Sequence, residues 1–175
     1  MTRLACLISA TIFAVQGYAS EDPRYHVGKP ATQSDIDAVN IDIRPDGLGL
    51  PPGRGSVMEG KRLYEQKCAA CHGTHGQGNP DDALVSTPDN EDRQTIGNHW
   101  PYATSIFDYI RRAMPFEQPG SLADNEVYAL TAYLLYLNEI VPDHASLDAA
   151  SLTRVRMPAR DLFVTDDRRG GEVVR

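Results

Sequence analysis

Five consecutive residues constrain this chain more than all the others: Cys68-Ala69-Ala70-Cys71-His72. Two thiols three positions apart at a helix end can each form a thioether with a vinyl group of one porphyrin. The adjacent imidazole then swings beneath the ring and offers a nitrogen to the iron. Rival uses of the pair fail on context. A redox dithiol of the thioredoxin type wants a strand–CxxC–helix setting within a βαβ unit, which the flanking sequence lacks. A structural zinc site wants four ligands, and there is no second cysteine pair. The expectation is one covalent haem c, attached through Cys68 and Cys71, with His72 as an axial iron ligand.

The third cysteine, Cys6, lies within MTRLACLISATIFAVQGYA, residues 1–19. Arg3, the apolar run Leu4–Val15 and the Gly17-x-Ala19 ending are the parts of a secretory signal peptide cleaved after Ala19. About twelve apolar residues fall short of the roughly 20 needed to span a bilayer, and no other stretch is longer. Cys6 stands near the start of the run, where it is badly placed for lipidation. Its removal leaves both remaining cysteines inside the haem motif. Export to the periplasm, where such haems are attached, is therefore expected.

The chain carries 17 basic and 24 acidic side chains, a net charge of -7. Loss of Arg3 makes it 16 minus 24, or -8. That balance argues against nucleic-acid binding and favours a basic patch on any protein partner. Three cysteines also exclude a disulfide scaffold.

Residues 20–55 hold five prolines and five glycines and read as an irregular N-terminal arm. Thr32 and Asp35 have capping-box spacing for a short helix over Thr32–Asn40, while Val39–Ile43 alternates as a short strand would. Ser56 can cap a helix to about Cys71, with Val57, Gly60, Tyr64 and Cys68 along one face. A second helix is expected at Thr104–Met114, stopped by Pro115. A third runs to about Asn138, with Ser121 and Asp124 as its capping signature and Val127, Leu130, Leu134 and Leu137 in one stripe. Residues 73–98 read as loop, and 142–175 as a polar, arginine-bearing C-terminal tail. The expected fold is all-α: a helical haem domain over residues 56–141 between an arm and a tail.

The sixth position on the iron has two methionine candidates that each precede a proline, Met114 and Met157. Met114 stands just before the last helix, where its loop can wrap the far face of the ring. Met157 is the alternative, and needs the tail to fold back over the haem. A histidine or an open position are the remaining readings. A thioether opposite imidazole raises the potential relative to two histidines. His72 should donate its other ring N–H to a backbone carbonyl, with Pro80 the first choice and Asn79 and Pro88 competing. Trp100, Tyr102, Arg111 and Arg112 are candidate propionate contacts, set against ordinary packing for the rings and a solvated face for the arginines.

With these residues placed, the chain resembles a class I cytochrome c over residues 56–141, including Gly60 and Tyr64 where the first helix would cross the last. Three further blocks are similar to the cytochrome subunits of sulfite dehydrogenase and the related sulfane dehydrogenase. They are Arg44-Pro-Asp-Gly-Leu-Gly-Leu-Pro-Pro-Gly53, the stretch from Trp100-Pro-Tyr102 to Tyr109-Ile-Arg-Arg-Ala-Met-Pro-Phe116, and Glu126-Val-Tyr-Ala-Leu-Thr-Ala-Tyr-Leu134. The resemblance implies the class I cytochrome c helical fold and His72 and Met114 as axial ligands. It also implies single electrons accepted from a molybdenum-cofactor subunit that oxidises a sulfur compound. Sulfane dehydrogenase cytochromes often carry a second haem domain. The single CxxCH here favours the sulfite-oxidising type, drained by a downstream cytochrome c or an oxidase, with arm and tail as docking surfaces. Such a subunit is not catalytic alone. A free-standing soluble carrier and a haem enzyme or sensor with an open sixth position are the alternative expectations.

Overall fold

A computed structural model describes residues 28–78, 82–90 and 92–164, leaving the Asp89 side chain aside. The expected signal peptide, Cys6, Asn79, Pro80 and the arginines beyond residue 164 lie outside these. The chain divides into two units between Val39 and Asn40.

The first unit contributes α1 (Gln33–Val39), none of whose residues is buried. Its start is the expected capping box. Thr32 donates to the Asp35 carboxylate from its N–H at 2.9 Å and its hydroxyl at 2.7 Å, and the Asp35 N–H returns to Thr32 Oγ1 at 3.2 Å. The alternative strand at Val39–Ile43 is not formed.

The second unit is built around α5 (Asp124–Leu137), buried on every side from Val127 to Leu135. A helix apolar all round has to sit at the centre, and the other elements cover it. Ser121 is not its cap. The chain enters through Ala123, whose N–H donates to the Glu126 carboxylate at 2.8 Å, because Glu126 rather than Asp124 stands three residues past the actual cap. Against α5 lies α2 (Val57–Lys67), which buries Val57, Gly60 and Tyr64. Its N-terminus is the expected one. Ser56 N–H reaches Glu59 Oε2 at 2.8 Å, and Glu59 N–H reaches Ser56 Oγ at 3.3 Å. The third wall is α4 (Ala103–Ala113), with Ile106, Phe107 and Ile110 inward. The Phe107 and Tyr128 rings meet at 4.4 Å.

The flanking segments are more integrated than their composition suggested. β1 (Arg54–Ser56) pairs antiparallel with β2 (Ser146–Asp148), matching Gly55 with Leu147, and α6 (Ala149–Leu152) follows directly. Leu147, Leu152, Met157 and Ala159 are all buried, so the core draws on chain beyond residue 141. The expected polar tail turns Leu147, Leu152 and Met157 inward, while Leu162, Phe163 and Val164 stay exposed. From the arm, Ile43 is buried and its N–H donates to Asp108 Oδ1 at 3.1 Å, while Tyr128 donates its hydroxyl to the Pro51 carbonyl at 2.8 Å. Among the described residues the all-α expectation holds apart from this two-stranded ribbon. No helix among the described residues is long and apolar enough to cross a membrane.

Candidate haem site

The cysteine pair sits on a break between two helices. At Cys68 the backbone leaves helical geometry (φ -124°, ψ -37°), and α3 (Ala69–His72) begins a fresh single turn. Cys71 N–H and His72 N–H both return to the Cys68 carbonyl, at 3.1 and 3.0 Å. The turn ends at Gly73, whose φ of 80° suits a residue without a β-carbon. Cys68, Cys71 and His72 thus share one turn, with Cys68 half-buried and Cys71 exposed. Burial pushes the Cys68 thiol up to about 11.

His72 is oriented from behind. Its Nδ1 lies 2.8 Å from the Asp82 carbonyl oxygen. A carbonyl only accepts, so Nδ1 carries the proton and Nε2 keeps the lone pair a metal needs. The carbonyl partner expected from sequence was Pro80, with Asn79 and Pro88 behind it. It is Asp82, because the turn after His72 is tightened first. Gly78 N–H bonds the His72 carbonyl at 2.9 Å, and Leu84 and Val85 N–H both bond the Gly76 carbonyl, which brings the backbone at Asp82 back under the ring.

Two remote side chains hold this arrangement. Tyr64, fully buried on α2, donates its hydroxyl to the Gly73 carbonyl at 2.8 Å, and burial raises its hydroxyl pKa well above the ordinary phenol range. Asn138, just past α5, accepts from Ser86 N–H at 3.1 Å and donates to the Leu84 carbonyl at 3.1 Å and the Leu134 carbonyl at 2.9 Å. Neither Asp82 nor Asn138 carries a local sequence signal for its role. One acts through its backbone and the other across more than fifty residues.

The two methionines differ in surroundings. Met114 caps the end of α4 in extended conformation (φ -119°, ψ 148°), is half-buried, and leads into a cis peptide bond to Pro115. Met157 is 2% exposed within the core, ahead of the 3-10 turn Pro158–Leu162. Trp100 is half-buried and edge-on to Tyr109 at 5.7 Å. Tyr102, the residue before α4, lies under the Arg160 guanidinium, 4.7 Å from its ring centroid. Arg111 pairs with Asp124 at 3.3 Å and Arg112 with Asp108 at 3.3 Å, so both arginines have carboxylate partners within the protein. Arg160 was not singled out from the sequence, where it is one arginine among several.

These donors fit a haem. Two thiols suit its vinyl groups, and an imidazole with its far nitrogen already protonated and a half-buried thioether are donors its iron takes. Among the described residues, no three His, Cys, Asp or Glu side chains gather to hold a bare metal ion.

Comparison with known proteins agrees. Residues 55–134 match the family described as cytochrome c oxidase, cbb3-type, subunit III. A chain of the crystal structure of the sulfane dehydrogenase SoxCD from Paracoccus pantotrophus superposes with a TM-score of 0.71 at 37% identity, over 81% of this chain and 72% of that one. Two thiosulfate dehydrogenases are also similar. The one from Psychrobacter arcticus is 35% identical over 54% of this chain, and the one from Stutzerimonas stutzeri 29% identical over 48%. The matched stretches span only 31% and 28% of those two proteins. This chain belongs to the cytochrome c family, where it is similar to the cytochromes of sulfur oxidation.

Proposed function

We propose that this chain is a single-haem electron-transfer subunit, with Cys68 and Cys71 forming the thioethers and His72 and Met114 the axial pair. The observation that carries this reading is the His72–Asp82 contact: an imidazole with Nδ1 fixed on a carbonyl beside a CxxC turn has one nitrogen left, and it is the metal-binding one. When bound, the haem supplies a reversible one-electron couple. The protein holds His72 in one tautomer, keeps the turn at Gly73 closed through Tyr64, and offers a half-buried sulfur from Met114. Full enclosure of Met157 favours Met114, because a sulfur packed on all sides has no face to give the iron. Of the propionate contacts expected from the sequence, this reading keeps the half-buried Trp100 and Tyr102, because Arg111 and Arg112 have carboxylate partners.

The likeness to the SoxCD chain supports a partner that oxidises a sulfur compound, and the reading is of a molybdenum-cofactor subunit acting on sulfite. The one CxxCH of this sequence is the haem site that this reading uses. Residues 1–19 as an export signal, a periplasmic site of action, and a downstream cytochrome c or oxidase complete the proposal. The arm and the outer face of the C-terminal segment are the surfaces offered for docking.

The test is direct. Protein from a strain able to attach haem should keep its haem under denaturing electrophoresis, and Cys68→Ser with Cys71→Ser should lose it. A molybdenum-containing partner should co-elute, and sulfite should reduce the haem only in its presence. Haem that dissociates on denaturation, or full reduction by sulfite without a partner, would overturn the respective part.

A further inference from the structure

Once the ion pairs are assigned, Arg160, an exposed arginine at the start of α4, is without a carboxylate partner among the described residues, as are Arg54, Arg62, Arg93 and Arg154. Arg111, Arg112, Arg44 and Arg156 are paired with Asp124, Asp108, Asp46 and Asp161. The Arg160 guanidinium instead lies over Tyr102, the residue from which α4 starts. A guanidinium stacked on a ring keeps its N–H groups available as donors. At the same place α4, eleven residues long, has no side-chain cap, so its first N–H groups and the positive end of its dipole are there too.

Tyr102 and Arg160 stand at the end of α4 opposite Met114. Asp82 holds His72 from one side, and Met114 closes the far end of α4. The stretch that joins them passes through Trp100-Pro101-Tyr102, whose two rings are half-buried. A porphyrin fixed by its vinyl edge at Cys68 and Cys71 carries its two carboxylates on the opposite edge. That edge has to meet a wall other than α3, and the joining stretch is where donors are assembled without a carboxylate to serve.

We propose that Arg160, brought over Tyr102 by the C-terminal segment, receives the haem carboxylates together with the start of α4. The inference rests on the haem reading of Cys68, Cys71 and His72, and extends it to a residue that segment alone supplies. The cation has two effects. It opposes the extra positive charge of ferric iron, which raises the potential. It also holds the carboxylates ionised to lower pH.

The experiment is a spectroelectrochemical titration of the holoprotein between about pH 5 and 9, on wild type, Arg160→Gln, Arg160→Lys and Arg156→Gln. Arg160→Gln should shift the ferric-to-ferrous ratio at fixed applied potential roughly three- to tenfold towards ferric, and move the inflection of potential against pH upward. Arg160→Lys should keep most of the wild-type behaviour, and Arg156→Gln, whose charge is paired with Asp161, all of it. An Arg160→Gln curve that overlays the wild type overturns the proposal. So does Arg160→Lys falling with Arg160→Gln, which would assign the effect to stacking. If Arg160→Gln does not fold, wild-type protein with labelled arginine is read by NMR. A nuclear Overhauser contact from Arg160 to the propionate methylenes is expected, and its absence is fatal. A wild-type protein without covalent haem would defeat the underlying haem reading; covalent haem with an unmoved potential defeats only the role of Arg160.

Discussion

Gly60 on α2 lies in direct backbone contact with Ala129 on α5. A β-carbon at Gly60 would overlap the Ala129 carbonyl and stand 2.7 Å from Tyr133 Cβ. The two helices can cross this closely only because one has no side chain there, and the Tyr64 and Tyr133 rings then meet beside the crossing at 5.3 Å. Gly60→Ala should therefore cost about 3 kcal/mol of unfolding free energy, the upper range for forcing atoms into a packed interface. Urea unfolding of the holoprotein measures it. A loss below about 0.5 kcal/mol would mean the crossing is looser than described.

The methionines separate by spectrum and by stability. Met114→Ala should abolish the weak far-red band of a methionine-ligated ferric haem while leaving the fold. Met157→Ala should keep that band and instead lower stability by about 2–5 kcal/mol, as for a buried side chain cut back to its β-carbon. The reverse pattern would exchange their roles.

Asn138 pins the strand of loop that presents the Asp82 carbonyl. Its three hydrogen bonds satisfy backbone groups at Leu84, Ser86 and Leu134. Asn138→Ala leaves the Ser86 N–H without its acceptor, while the Leu84 and Leu134 carbonyls keep the Ile96 and residue-138 N–H groups, and should cost about 1–2 kcal/mol. Looser support for His72 should also broaden the imidazole resonances of the holoprotein. Unchanged stability would show that water replaces the acceptor lost to Ser86.

Stability should fall on the acid side partly through two helix caps. The Ser56 hydroxyl, then the Ser56 N–H, hold the Glu59 carboxyl below its ordinary range, and Ser151 does the same for Asp148. A carboxyl depressed in the folded state contributes stability that is complete above its unfolded pKa, near 4, and is lost as pH falls through the folded value. Glu59→Gln combined with Asp148→Asn keeps the caps but removes the titration. The denaturation midpoint of the double variant should decline less between about pH 5 and 3 than that of the wild type. Parallel curves would remove these caps from the acid response.

What the sequence made legible was local. The CxxCH turn is five adjacent residues, Ser56 and Glu59 lie three apart, and Pro115 marks the end of α4 from two positions away. Residues whose role depends on distant chain were not legible. The Asp82 carbonyl is placed by the closure of a loop onto Gly76. Leu147, Leu152 and Met157 are too sparse to form an apolar stripe, and their burial depends on the surface that α4, α5 and the arm offer. Glu126, rather than Asp124, completes the cap of α5 because the helix starts two residues later than Ser121 suggested.

The β1–β2 ribbon fixes an order of events. Gly55 stands ahead of the haem turn and Leu147 far behind it, yet the two are partners, and Ala145 accepts the N–H of Val57 at the first residue of α2 at 3.0 Å. A chain still being delivered, whether from a ribosome or through a membrane pore, exposes Cys68 and Cys71 long before Ala145 arrives. The ribbon closes only once residues 146–148 are present, so the start of α2 stays unclasped until most of the chain has been delivered.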